Sequence, residues 1–489
     1  MSTDYVSQKT AHLYQEAGDR KPFLQLLWGD QVNVLEQRSH RSKVRARGVQ
    51  GWIANEDLGG QPLLEVYFID VGQGDGVLIR TPDDRHVLID GGYNRTKQST
   101  GKNAADFVDW KFVKDYGRKV ITLDCVIASH CDADHYGGLW DLLEPSQAHE
   151  LDAEKVEVKA FYHAGVAWWK KGSGRWLGPS EQGYLVQLMG NKADVLNALD
   201  PARPGPKLQG EWARFMKRVV ENVPVVQRLN HVNGYVPGFS PNDGPASLKI
   251  LGPVEHDVTG KPAVRDLGSD SQNTNGNSIL LRLDYRSVRI LLTGDLNAAS
   301  QQVLLDEWQG QHEEFRCDVA KGCHHGSDDV SYAFLKAMEA AATIISSGDN
   351  ERHAHPRPTI VAASATTGYQ TIVGDKLETP LVFSTEIARS VDFGRITSIV
   401  DPDYPTQGGK ISVTLNRKTG DKINYSQTRA GDLNPKKASR SIAGSYVVSG
   451  IVYGLVNVRT DGRTVLCATR NEADHSWEYK TFPSRFPQA

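Results

Sequence analysis

At 489 residues the chain is long enough for roughly two to four domains, and its 56 Lys+Arg against 59 Asp+Glu leave a formal charge of −3. That balance excludes a global basic field for nucleic acid, so any such contact must be local. Five cysteines without a CxxC pair exclude a disulfide framework and fit a reducing compartment. No run of about 18 apolar residues occurs and the first twenty residues hold no apolar core, which predicts a cytoplasmic protein without membrane contact.

Residues 1–21 read as an N-terminal tail. From 22 to 60 the short alternating runs at 31–35, 42–46 and 51–53, parted by polar or Gly turns, predict a small β-barrel. The spacing of Gly29-Asp30, Val44-Arg45-Ala46-Arg47-Gly48 and Gly51-Trp52-Ile53 resembles bacterial SH3-like domains, which implies a module that docks a protein partner. Arg41, Lys43, Arg45 and Arg47 alternate here, as a solvated face or a polyanion contact would.

Three apolar runs at 64–70, 76–80 and 85–90, joined by tight turns, have the pattern of an antiparallel meander. A helix-compatible segment at 104–115 follows, then a strand at 125–128 and a helix start at 139–143. Between 164 and 245 the character changes to a Trp-rich and basic insertion containing AWWKKGSGRW, with helical pieces expected at 181–199 and 210–223. Trp168 and Trp169 among cations suit stacking on bases and pairing with phosphates. A local hydrophobic core would use the same rings. Strands are expected again at 278–284, 288–293, 318–322 and 343–347, with a helix at 332–342. A basic stretch, 434–440, then leads into a β-rich C-terminal extension, 431–489, with Thr460-Asp461-Gly462 as a hairpin turn.

Directly after the run 125–128 stands SHCDADHYGG, with His130, Asp132, Asp134 and His135 inside six positions. Two carboxylates and two imidazoles so close would repel or stay unsatisfied in a dry cleft, whereas divalent cations accept this mixed oxygen and nitrogen set. Later strand ends deliver Asp295, then His324 and His325, then His355, and strand ends on one sheet edge converge in space. Cys131 and Cys323 alternate with these residues and read as buried small hydrophobes. Asp70, Gln73, Asp75 and Asp90 read as groups that orient ligands or fix turns.

In order along the chain, FIDVGQGDG (68–76), LIDGG (88–92), SHCDADHYGG (129–138), LLTGD (291–295) and CHHGS (323–327) resemble the metallo-β-lactamase superfamily. The Asp at the second ligand position resembles, more narrowly, the soluble metallohydrolase domain of ComEC-type competence proteins. Gly76 stands where that family usually has Ser or Ala. The resemblance spans about residues 62–360 and implies an α/β (α+β) chain: an αββα sandwich over 61–430 holding two divalent metal ions, Zn or Mn, at one edge.

Carried over residue by residue, the resemblance implies that His130 and Asp132 hold the first metal, with His163 the candidate for a third histidine that has no clean match. Asp134, His135 and His325 hold the second, Asp295 bridges, and His355 competes with His325. Asp132 in place of a His makes the first site harder and favours Mn²⁺. Asp134 and His324 are the catalytic candidates, His324 to orient a ligand or act on the leaving group. Lys321 and Ser327 are candidates to meet substrate phosphate, against a solvated Lys and a helix cap. The expected function is a phosphodiesterase of nuclease type acting on DNA or RNA. The alternatives are a small-molecule phosphodiesterase of the phosphorylcholine-esterase kind, and a partner-gated effector of bacterial phage defence.

Overall fold

Strands without any exposed face dominate the centre of the chain: Leu64–Phe68, Val77–Arg80, His86–Ile89, Cys125–Ala128 and Ala160–His163 are buried throughout. Such strands need cover on both sides, and a computed structural model of the chain supplies it. It describes residues 2–98, 101–348, 355–385, 454–470 and 476–487, with backbone alone for strands at Phe393–Val400, Ser412–Asn416, Lys422–Gln427, Lys436–Ser441 and Val447–Val448.

The five strands belong to a nine-stranded sheet, which faces a six-stranded sheet built from Ala246–Gly252, Leu280–Tyr285, Val288–Leu292, Val319–Lys321, Ala342–Ile345 and Leu381–Ser384. Side chains alternate between the faces with period two. Val66 and Phe68 therefore pack inward against Leu248, Ile250 and Leu281. Tyr67 between them points outward to the helices Ala104–Asp109, Ala133–Leu143 and Gly210–Asn222. On the far side Leu291 and Ala320 meet the helices Ala298–Glu307, Tyr332–Met338 and Pro358–Thr367. Helix, sheet, sheet, helix is the αββα order. Each of these three clusters removes many side chains from water at about 25 cal/mol per Å² of apolar surface.

Four expectations need correction. The segment 1–21 is not a tail: Ser2–Tyr5 pairs with Gln31–Gln37, and Thr10–Leu13 pairs with Leu24–Leu27. Together with Arg41–Ala46 and Val49–Ala54 they enclose a small core of Val6, Leu13, Leu26, Val32, Val44 and Ile53. The C-terminal residues are not a separate extension either. Val456–Thr460 pairs with Leu64–Phe68 in the main sheet, followed by Thr464–Arg470 and Trp477–Pro483, while the boundary expected at 430–431 lies outside the described residues. Only Lys192–Leu199 of 181–199 is helical, started by an Asn191 capping box; Ser180–Glu181 and Tyr184–Leu185 form strands instead. The segment 104–115 splits into an α-helix and a π-helical turn, Trp110–Asp115.

The N-terminal unit is joined to the main sheet through buried charge. Arg459 bonds Asp30 at 2.7 Å, Arg47 bonds the other Asp30 oxygen at 2.7 Å, Arg80 reaches Glu65 at 3.3 Å, and Lys111 meets Asp115 at 2.5 Å. Arg80 also donates to Gln31 at 2.7 Å. Burial alone would raise the Asp30 carboxyl, but Arg459 and Arg47 hold it well below the usual range. An apolar seam of Leu27, Trp28 and Leu63 against Leu466, Ala468 and Trp477 lies alongside.

Candidate metal centre

The strand Cys125–Ala128 ends in the loop that becomes the helix Ala133–Leu143, with Asp132 at its N-cap position. Its carboxylate makes no capping bond and accepts from Thr274 Oγ1 at 3.0 Å instead. Asp132 is thus left facing a pocket of about 420 Å³ that Asp134, Asp295, His324, His325 and His355 also line. Two glycines let the first- and second-motif loops touch this helix: a Cβ on Gly74, which has φ +105°, would strike the Asp134 carbonyl, and one on Gly138 would strike that of Gly91.

Beneath the pocket, atoms of Asp75, His135, Asp295 and His325 lie within 4.8 Å of one another, all buried. His135 Nε2 is 3.1 Å from Asp295 Oδ2 and 3.3 Å from His325 Nε2, and His325 Nε2 is 2.8 Å from the same Asp295 oxygen. The opposite nitrogens face other groups: His135 Nδ1 meets Asp90 at 2.8 Å, and His325 Nδ1 lies 3.2 Å from Asp75 and 3.3 Å from the Ser346 carbonyl. Carboxylates that hold Nδ1 fix the ring and aim Nε2, the usual arrangement behind a metal-bound imidazole. Against burial, Asp295 and Asp90 raise the His135 pKa, and Asp295 and Asp75 raise that of His325 to about 10. His130 lies 4.0 Å from the His135 ring; its Nδ1 meets the hydroxyls of Ser129 and Ser278 at 3.0 and 3.2 Å, and its buried Nε2 has no partner.

An orphaned Nε2 and an unbonded Asp295 Oδ1 in a dry carboxylate-rich cluster fit a divalent cation and little else. Burial and the neighbouring Asp134 charge push the Asp132 carboxyl up to about 6, a tension that a cation relieves. Backbone strain marks the same place. Asp90, His324 and His325 take φ of +57°, +47° and +53°, a left-handed region that non-glycine residues occupy at a cost.

The structure thus brings together His130, Asp132, Asp134, His135, Asp295 and His325, with His324 and His355 on the pocket wall. His163 ends the neighbouring strand opposite Ala128 and lies outside the four-residue cluster, with burial lowering its pKa to about 3. Lys321 does not face the pocket as a phosphate contact. It is 2% exposed, pairs with Asp75, lies 3.6 Å from Asp295 and donates to the Gly294 carbonyl at 2.8 Å. Ser327 lines the pocket but accepts from the Asp329 amide at 3.1 Å, as a turn cap does. Trp168 and Trp169 are buried in the helix-side core, where apolar packing claims their faces.

Two residues went unnoticed in the sequence. Asn275 Nδ2 lies 3.2 Å from His324 Nε2, and Thr274 holds Asp132. Both ride on the helix Asp270–Gly276, whose capping box, Ser269 with Gln272, is a legible S-x-x-Q signal.

Residues 69–346 match the metallo-beta-lactamase superfamily family model, more than half of the chain, and the protein belongs to that superfamily. It is 24% identical over 311 residues to ComE operon protein 3 of Bacillus subtilis (strain 168), which covers 61% of this chain and 30% of that protein. The chain therefore spans less than a third of the length of the curated relative that it matches. Among solved structures it is similar to a diphosphatase from the PhnP family at 14% identity and TM-score 0.26, covering 58% of this chain and 86% of that one. It is also similar to the metallo-beta-lactamase SMB-1 at 13% identity and TM-score 0.24, covering 53% and 76%.

Proposed function

We propose that the protein is a phosphodiesterase of the ComEC-like branch that cleaves nucleic acid at a centre of two divalent cations. The observation that carries this reading is a charge count. With His135 and His325 neutral, as metal ligands must be, Asp75, Asp90, Asp132, Asp134 and Asp295 face one ammonium, the buried Lys321, a formal −4 that two divalent cations would cancel. Two cations bound there would acidify a water towards neutrality and stabilise the attacking and leaving oxygens of an in-line displacement.

The chain's own residues divide the remaining work. Asp134, His135 and His325 would hold one ion and His130 and Asp132 the other, with Asp295, whose Oδ2 lies 3.1 Å from His135 and 2.8 Å from His325, available to both. His163 is the candidate for a third histidine on the His130 side, and both of its buried ring nitrogens are without a hydrogen-bond partner. His324 meets the leaving group. Its Nε2 accepts from Asn275, so its proton sits on Nδ1, the atom without a partner. Burial lowers its pKa, so the ring is a neutral donor near pH 7. The motif resemblance to ComEC-type metallohydrolase domains is the ground for a polynucleotide substrate, and the similarity to ComE operon protein 3 is compatible with it.

The test is hydrolysis of labelled single-stranded DNA, duplex DNA, RNA and bis-p-nitrophenyl phosphate by stripped protein refilled with Mn²⁺ or Zn²⁺. Polynucleotide cleavage that depends on Asp134 is expected. Activity on the small ester alone would replace the nuclease reading with a small-molecule phosphodiesterase.

A further inference from the structure

The Trp-rich insertion has an exposed feature that the centre does not use. Trp169–Lys171 and Gly174–Trp176 pair as a hairpin around Gly172 and Ser173, displaying Lys170, Lys171 and Arg175 to solvent. Among the described residues no carboxylate lies within ion-pair distance of any of the three. The adjoining helix Gly210–Asn222 behaves oppositely: Arg214 pairs with Glu211 at 3.6 Å, Lys217 with Glu221 at 3.9 Å, and Arg218 with Glu144 at 2.8 Å. Three like charges on one short hairpin repel one another, and the fold supplies no counter-charge.

The heads are nevertheless held. Lys171 Nζ sits 4.1 Å above the Trp176 ring and Arg175 Cζ 3.9 Å above Trp168. Cation–π contacts of this kind hold the cationic heads in place and reduce the ordering cost on binding a ligand. The hairpin also has a fixed place. Lys170 N donates to the Lys207 carbonyl at 2.8 Å and Gln209 N to the Trp168 carbonyl at 2.8 Å, docking it on the lead into the helix. That helix lays Trp212 and Phe215 on Tyr136, at 5.1 and 5.0 Å. Tyr93 and Ala133, which adjoin Tyr136 and Glu211 beside this helix, also line the pocket of the candidate metal centre.

We infer that this hairpin is a docking arm for the sugar-phosphate backbone of a polynucleotide, delivering the strand to the neighbouring metal centre. With Trp168 and Trp169 buried and Trp176 engaged by Lys171, bases gain no stacking surface there. Recognition is by phosphate, independent of sequence and steeply dependent on salt.

The inference rests on the proposed nuclease reading, and binding can be measured apart from cleavage. Full-length Asp134→Ala protein, with and without Lys170→Gln, Lys171→Gln and Arg175→Gln together, is titrated with a fluorescent oligonucleotide at several salt concentrations. The triple change should weaken binding at least about tenfold and make the plot of log K against log salt shallower by about two. In the Asp134-intact background it should leave bis-p-nitrophenyl phosphate hydrolysis unchanged. Equal affinity and slope in both proteins, or no oligonucleotide binding by either, overturns the inference. Loss of ester hydrolysis also overturns it, because the hairpin would then shape the centre itself. Oligonucleotide bound through the hairpin but never cleaved upholds the arm and removes the nuclease reading alone.

Discussion

Two buried charge clusters stand on opposite ends of the same sheet, and they are completed in different ways. Between the N-terminal unit and the sheet, Asp30, Glu65 and Asp115 meet Arg47, Arg80, Lys111 and Arg459, and the protein supplies its own cations. At the other cluster five carboxylates face Lys321 and the imidazoles of His135 and His325, which give up their protons to serve as ligands, and His130 Nε2 has no hydrogen-bond partner. Burying charge is tolerated only when it is matched. A cluster matched from within is structural, and one left unmatched is shaped for a ligand.

The largest expected effect separates the two. Asp295→Asn should lower turnover by at least about 10³-fold, because a bridging carboxylate acts on both ions, while the stripped variant keeps the wild-type far-UV circular dichroism. Deleting residues 1–60 should yield insoluble or unfolded protein. Docking of a partner was the expected role of that unit, and an independent docking module would leave a soluble, active hydrolase, so survival of activity would break the comparison. At single-residue scale, Arg459→Leu should cost about 3–5 kcal/mol in urea denaturation, since it strands Asp30 and Glu65 without their principal cation. Asp132→Asn should do the reverse in stripped protein and raise Tm by a few degrees, because it removes one of the uncompensated charges.

The smallest effect concerns pH. His86, packed on Phe112 and Tyr116 beside the structural cluster, has its pKa lowered to about 4, chiefly by burial. Its folded value lies below the unfolded one, so the unfolded chain binds the extra proton and stability falls as pH drops from about 6.5 towards 4. The loss is at most about 3 kcal/mol. His86→Phe should flatten that part of the stability profile, and an unchanged slope would mean that other groups carry it.

Much of the metal centre was legible because its signal is local. Four ligating residues of two types, His and Asp, within six positions after a strand, and strand ends carrying Asp295 and His325, need no knowledge of distant contacts. Asp75 and Asp90 were legible as orienting groups from their place in the first two motifs. What stayed hidden depends on partners far along the chain. Lys321 reads as an exposed strand-end cation until Asp75, from the first motif, is placed beside it. Ser2–Tyr5 and Thr10–Leu13 are too short and polar to show a period, and become strands only by pairing. Val456–Thr460 announces a hairpin through Asp461-Gly462, yet its place in the main sheet comes from Leu64–Phe68 at the other end of the chain. The Trp residues were visible as a cluster, but only the helix Gly210–Asn222 decides that they face inward.

The central claim is that the unmatched cluster is completed by divalent cations. Metal content by mass spectrometry, combined with calorimetric titration of stripped protein with Mn²⁺ or Zn²⁺, tests it without reference to any substrate. Two equivalents bound, with a rise in Tm on loading and both lost or reduced in Asp295→Asn, is the predicted result. A stripped protein that takes up no divalent cation and melts at the same temperature with or without it would contradict the account.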